Sequence, residues 1–186
     1  MKTKDMILCA LAAAITAVLA PVSLPIGPVS ITLGVFAVML SGGILKPGYA
    51  FVSQIVYILL GCTGLPVFSN FRGGFQVLAG PTGGYLVVYP FMALLIALCA
   101  QWYGRHAAAK ATRRFGLTLF FSMLASLILC YAAGSLWFAF QQQTPLKRAL
   151  VMTVCPFIPG DVIKAILAAL VSVVLRRRLG HLLNRS

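Results

Sequence analysis

Acidic residues are nearly missing from this sequence: Asp5 and Asp161 are the only two in 186 residues, against fifteen Lys and Arg. That scarcity excludes chemistry that depends on clustered carboxylates. Phosphoryl transfer needs several acidic ligands for magnesium, and an intramembrane aspartic protease needs a carboxylate pair. Histidine is equally sparse, and His106 and His181 both fall in basic segments, away from any apolar run that would house a base or a metal. Cys9, Cys62, Cys99, Cys130 and Cys155 stand singly, with no C-x-x-C or Cys–His spacing for a metal or redox centre. They read as small apolar packing residues. There is no G-x-x-x-x-G-K-[ST] segment and no G-x-G-x-x-G after a strand, so nucleotide hydrolysis cannot come from this chain. Charge is scarce altogether, at 9% of residues against about a quarter in soluble domains.

Apolar residues take up the difference, at 61%. They are gathered in runs long enough to cross a bilayer, where a helix needs about 20 residues. Six spans are expected, at about 6–20, 29–45, 48–65, 83–103, 115–140 and 149–176, in one integral membrane domain covering 1–186. The last is longer than one crossing requires, and Pro156 and Pro159 are where it should break, leaving 159–176 as the final helix. Lys2 and Lys4 before the first run imitate a signal peptide, but five further runs follow, and the first reads as a retained helix.

The net charge of +13 follows from topology and does not indicate nucleic-acid binding, because the basic residues lie between the spans. With both termini cytoplasmic, Lys2, Lys4, Lys46, Arg105, Lys110, Arg113, Arg114, Arg176, Arg177, Arg178 and Arg185 are inside, which is 11. Arg72, Lys147 and Arg148 are outside, which is 3, and Lys164 lies within a span. The bias fixes the orientation, and Trp102, Tyr103 and Trp137 fall at span ends that suit the interface.

Three stretches stand out from this background. Pro156-Phe-Ile-Pro-Gly-Asp-Val-Ile-Lys-Ala165 places Asp161 and Lys164 three residues apart, on one face of the final helix. Charged groups in a spanning segment are costly, and such a pair is read first as a ligand site. Asp161 also stands near the positive end of the helix dipole, on the outer side. Between the third and fourth spans, Gly64–Tyr85 carries five glycines between Gly73 and Gly84, Gly73 and Gly74 among them, with Phe71, Arg72, Phe75 and Tyr85 interleaved, a composition suited to capping a ligand closely. In the first helix, Ala10/Ala14 and Ala13/Ala17 are small-x-x-x-small pairs, fit either for packing within the bundle or for docking a partner membrane protein.

Gly64-Leu-Pro-Val67, Gly80-Pro-Thr-Gly-Gly-Tyr85 and Phe157-Ile-Pro-Gly-Asp161 with Lys164 together resemble the biotin transporter BioY family, the substrate-binding (S) components of energy-coupling factor vitamin transporters. Pro28-Val-Ser-Ile-Thr-Leu33 and Lys46-Pro-Gly48 fit the same pattern, and the resemblance covers roughly residues 6–176 in order. It implies an all-α membrane protein with the six-helix S-component fold, in a bacterial plasma membrane. Such a protein binds biotin from outside and needs no cofactor. The resemblance also implies a partner, an energy-coupling module of one transmembrane subunit and two ATPases, docked on Ala10, Ala13, Ala14 and Ala17. It carries the ligand contacts over to Asp161 and Lys164. Two positions depart from a relative in that family: Arg72 stands where it has Asn, and Leu86 stands where it has Arg after G-G-Y.

Biotin presents ureido N–H donors and a carbonyl at one end and a carboxylate at the other. Asp161 is expected to accept the ureido N–H groups, Lys164 to donate to an adjacent ligand oxygen, and Arg72 to hold the carboxylate. Gly73, Gly74, Phe68, Phe71, Phe75 and Tyr85 are expected around the ring and chain. An S component for another vitamin, or a biotin permease acting alone, would fit the same residues. A channel fits less well, since no ring of polar residues or internal repeat is evident.

Overall fold

The computed structural model describes residues 3–26, 29–106 and 112–178. Lys2, Pro28, Lys110, His181 and Arg185 lie outside the described residues. Among the described residues there are eight helices: α1 (Thr3–Leu19), α2 (Gly34–Ile44), α3 (Pro47–Cys62), α4 (Phe75–Ala79), α5 (Gly83–His106), α6 (Thr112–Gln141), α7 (Leu146–Thr153) and α8 (Ile158–Arg178). A 3-10 turn covers Ser69–Phe71. Two short strands, β1 (Ser23–Ile26) and β2 (Val29–Thr32), pair antiparallel.

That hairpin corrects the all-α expectation and the span proposed at 29–45. Val29-Ser-Ile-Thr32 alternates in the two-residue period of a strand, and it pairs Ser23 with Thr32 and Leu24 with Ile31. The helix begins only at Gly34, and a β-carbon there would fall 2.9 Å from Ala20 Cβ. Glycine therefore lets α2 start hard against the end of α1. The break expected in the last run is present: α7 ends at Thr153 and α8 starts at Ile158, with Pro159 in its first turn, where the missing N–H costs nothing.

Among the described residues, three helices are long and apolar enough to cross a membrane: Gly83–Gly104, Arg114–Gln141 and Ile158–Arg178. Helices α2 and α3 are apolar but shorter. The chain runs back and forth, so that the starts of α1 and α3 and the end of α8 meet at one end of the bundle. There Lys46 pairs with Asp5 at 3.2 Å, and Arg176 donates from Nε to the Gly43 carbonyl at 2.5 Å while its guanidinium lies 5.4 Å from the Phe115 ring centre. The opposite end holds the hairpin, the 3-10 turn, α4 and α7.

The core between these ends is apolar, with Met39, Met92, Ile96, Leu119 and Met123 fully buried. Glycines set the closest approaches: a β-carbon on Gly42 would fall 2.7 Å from the Ala93 carbonyl oxygen, and one on Gly43 would fall 2.2 Å from Ser172 Oγ. A polar cluster lies within the core. Gln54 Nε2 approaches Ser41 Oγ at 2.9 Å, Ser53 Oγ at 3.2 Å and Thr16 Oγ1 at 3.4 Å, tying α3 to α1 and α2. Each hydroxyl donates to its own helix backbone and so has lone pairs left for the amide.

Candidate functional site

Asp161 lies in the first turn of α8, where its backbone N–H donates to the Phe157 carbonyl at 2.9 Å. One turn on, Lys164 Nζ approaches Asp161 Oδ1 at 2.8 Å, and both side chains are almost wholly buried. Two other elements hold the pair. From α6, the Tyr131 hydroxyl donates to Asp161 Oδ2 at 2.6 Å, and Lys164 donates to the β2 carbonyl of Thr32 at 2.8 Å. Each carboxylate oxygen keeps accepting capacity, and the ammonium has three donors with two engaged. The pair is thus both fixed and able to take further hydrogen bonds.

It opens on a cavity of about 210 Å³ at the end of the bundle that carries the hairpin. One wall is α8 and α6, with Phe157, Leu127, Cys130 and Tyr131; another is α5, with Tyr85, Leu86 and Tyr89. The hairpin, from Val29 to Thr32, and the segment Phe68–Asn70 with Arg72 and Val77 complete the enclosure. The two covering pieces are joined through Asn70. Its Nδ2 donates to Ser30 Oγ at 2.7 Å, its Oδ1 accepts from Ser23 at 2.9 Å, and its N–H donates to Ser23 Oγ at 3.0 Å. Asn70 and Phe71 both have positive φ, 58° and 54°, so this turn is bent against the preference of side-chain-bearing residues.

Of the residues singled out in the sequence, the structure brings Asp161, Lys164, Arg72 and Tyr85 together around this cavity, with Phe68 beside them. Phe71 and Phe75 are not in its lining; they are exposed on the outer side of the turn and of α4. Gly73 and Gly74 do not line it either. A β-carbon on Gly73 would fall 2.3 Å from the Leu65 carbonyl oxygen, and Gly74 takes a φ of +95° before α4, so both shape the backbone. Leu86 is buried in the cavity wall. Three contributors were not singled out in the sequence: Tyr131, the Thr32 carbonyl and Asn70. Tyr131 is one aromatic residue in a long apolar helix, and a backbone carbonyl leaves no mark on sequence.

The alanines of α1 divide between two faces. Ala13 is 1% exposed and packs into the core, and Ala17 is partly buried. Ala10 and Ala14 are exposed, on the side that also presents Ile7, Leu11 and Val18.

A buried ion pair at the edge of a partly open cavity, in an otherwise apolar bundle, is an arrangement able to take a small polar ligand. The family model described as the BioY family matches residues 1–181. The chain belongs to the BioY family. The probable biotin transporter BioY of Pyrococcus horikoshii is 36% identical over 92% of this chain and 96% of its own length. Biotin transporter BioY2 of Lactococcus lactis subsp. cremoris is 37% identical over 97% of this chain and 94% of its own. Among solved structures, the S-component for biotin from an ECF-type ABC transporter superposes with a TM-score of 0.83 at 30% identity, covering 95% of each chain. The S component of a bacterial ECF transporter, at 21% identity and a TM-score of 0.50, shares the fold. BioY proteins are membrane transporter components and not enzymes, which agrees with the scarcity of carboxylates and histidines.

Proposed function

We propose that the chain binds biotin from the extracytoplasmic side and serves in its uptake as the S component of an energy-coupling factor transporter. The observation that carries this reading is the Asp161–Lys164 pair, buried and cross-tied yet with hydrogen-bonding capacity turned toward a cavity. A ureido group is its complement: two N–H donors for the carboxylate and one carbonyl for the remaining ammonium hydrogen. Arg72 at the exposed edge holds the biotin carboxylate, and Phe68, Tyr85 and Phe157 surround the apolar ring and chain. Biotin is here the cargo and not a cofactor.

The topology that suits this role has six crossings, with α1, α2 and α3 completing the three long spans, and both termini cytoplasmic in a bacterial plasma membrane. The Lys46, Asp5 and Arg176 end then faces the cytoplasm and the cavity faces outward, in line with the 11-to-3 distribution of basic residues. The chain has no nucleotide-binding motif of its own, so active uptake draws on another protein or an existing gradient; as an S component it draws on an energy-coupling module of a transmembrane subunit and two ATPases. The face of α1 formed by Ala10 and Ala14 is the docking surface for that module, since small residues let helices approach closely; Ala13 and Ala17 support it from within.

Mass spectrometry of small molecules carried through purification in detergent tests the ligand without presupposing it, and biotin is the expected species. Titration with biotin, thiamin and riboflavin then ranks the vitamins, and tighter binding of either of the other two would overturn the assignment. Uptake into vesicles that lack any ATPase would replace the S-component reading with that of a permease acting alone.

A further inference from the structure

Phe71 and Phe75, the two aromatic residues of the glycine loop that the cavity does not use, are 69% and 68% exposed. Their level in the bundle is set by hydrogen bonds at both ends of α4. The Gly74 N–H donates to the Gly61 carbonyl at 2.7 Å, and Gly61 lies inside the last turn of α3, beside the exposed Leu59 and Leu60. At the other end, Trp137 Nε1 donates to the Gly80 carbonyl at 2.9 Å, and Gln141 donates to that of Ala79. Trp137 is one turn short of the end of α6, a helix long enough to span. So α4 does not stand above the bundle. It lies across, level with the outermost turns of α3 and α6, where an indole and exposed leucines are already placed.

Its two sides differ. Val77 lines the cavity, and two residues along a helix turn the side chain by roughly 200°, so Phe75 looks the opposite way. Arg72, next to Phe71 in sequence, belongs to the cavity lining and not to this outer face. We propose that Phe71 and Phe75 form a foot seated in the headgroup–acyl boundary of the leaflet on the cavity side, with phospholipid as its occupant. Exposed apolar aromatic side chains at the level where spanning helices end favour that layer, where their rings lie among the first acyl carbons. The lipid then holds α4 from outside while Val77 closes the cavity from inside. This goes beyond the functional reading above and requires only that α3 and α6 end in a bilayer; it stands whatever ligand the cavity takes.

The test is Phe75→Trp in nanodiscs of phosphatidylcholine and phosphatidylglycerol, reading the difference in emission from the unaltered protein. The added indole should emit at shorter wavelength than tryptophan in water, resist iodide, and lose at least half its intensity to lipids brominated high on the acyl chain. Bromines near the terminal methyl should quench it less. Emission at the aqueous wavelength with iodide quenching and no effect of brominated lipid would overturn the proposal, and so would protection from both quenchers, which means cover by protein. Unchanged biotin binding by the variant shows that it has folded. A variant that folds but binds a different vitamin sinks the ligand assignment and leaves the lipid foot standing.

Discussion

Tyr131 on α6 donates a 2.6 Å hydrogen bond to Asp161 on α8, on the carboxylate oxygen that Lys164 does not engage. The carboxylate is therefore oriented from two sides, with its plane set before any ligand arrives. Tyr131→Phe removes only the hydroxyl. A hydrogen bond to a charged group contributes about 1.5–3 kcal/mol, so biotin affinity should fall roughly tenfold or more. Asp161→Asn should weaken binding at least tenfold, about 1.4 kcal/mol. The double variant should lose less than the sum, because both changes act through one carboxylate. Strictly additive losses by calorimetry would mean that Tyr131 acts elsewhere.

Lys164 also donates to the Thr32 carbonyl, so one ammonium links α8 to the hairpin. Lys164→Met leaves a buried carboxylate without its counter-charge, a change that costs about 3–5 kcal/mol in buried pairs. Removing both charges in Asp161→Asn/Lys164→Met should restore much of that stability while binding stays lost. Thermal unfolding in detergent checks the order: the single lysine variant should melt lowest. If the double variant melts lower still, the pair contributes more to folding than its desolvation costs.

Much of this site was legible in the sequence. Two acids in an apolar chain made Asp161 conspicuous, and the three-residue spacing gave Lys164 as its neighbour on the helix. Pro156 and Pro159 marked the break that places both in the first turns of α8. The hairpin was hidden, because Val29-Ser-Ile-Thr32 runs into the apolar residues of α2 without a charge between them, and hydropathy reads the two as one span. Which way Phe71 and Phe75 turn was also hidden. Phe71 sits in a turn with positive φ, and Phe75 and Val77 differ only by the rotation of one short helix, which glycine-rich sequence does not specify. Ala10 and Ala13 look alike in sequence, and only the packing of α1 separates an exposed alanine from a buried one.

That separation predicts opposite outcomes for the same substitution. Ala14→Leu adds bulk to an exposed face, so it should leave biotin affinity and melting unchanged while weakening co-purification with the energy-coupling module severalfold. Ala13→Leu adds it where a 1% exposed side chain already fills its space, and overpacking of that kind costs about 1–3 kcal/mol. It should lower the melting temperature whether or not the module is present. Normal module capture by Ala14→Leu would move the docking surface off this face.

The cover over the cavity is held by a knob in a hole. Phe68 is fully buried, edge-on to Tyr57 with ring centres 5.7 Å apart, and a β-carbon on Gly61 would fall 2.1 Å from its Cζ. The Tyr57 hydroxyl donates to the Val67 carbonyl at 3.2 Å, so the ring and the adjoining backbone are fixed by the same residue. From this anchor the chain reaches Asn70 and the hairpin. Gly61→Ala favours the helix and adds one methyl group, which is accommodated only by displacing the Phe68 ring. Dissociation of biotin should then speed up at least threefold, since the segment that closes the cavity loses its seat, while the Asp161 contacts persist. Stopped-flow displacement of a fluorescent biotin analogue measures this directly. An unchanged dissociation rate in Gly61→Ala would mean that closure of the cavity does not depend on this seat.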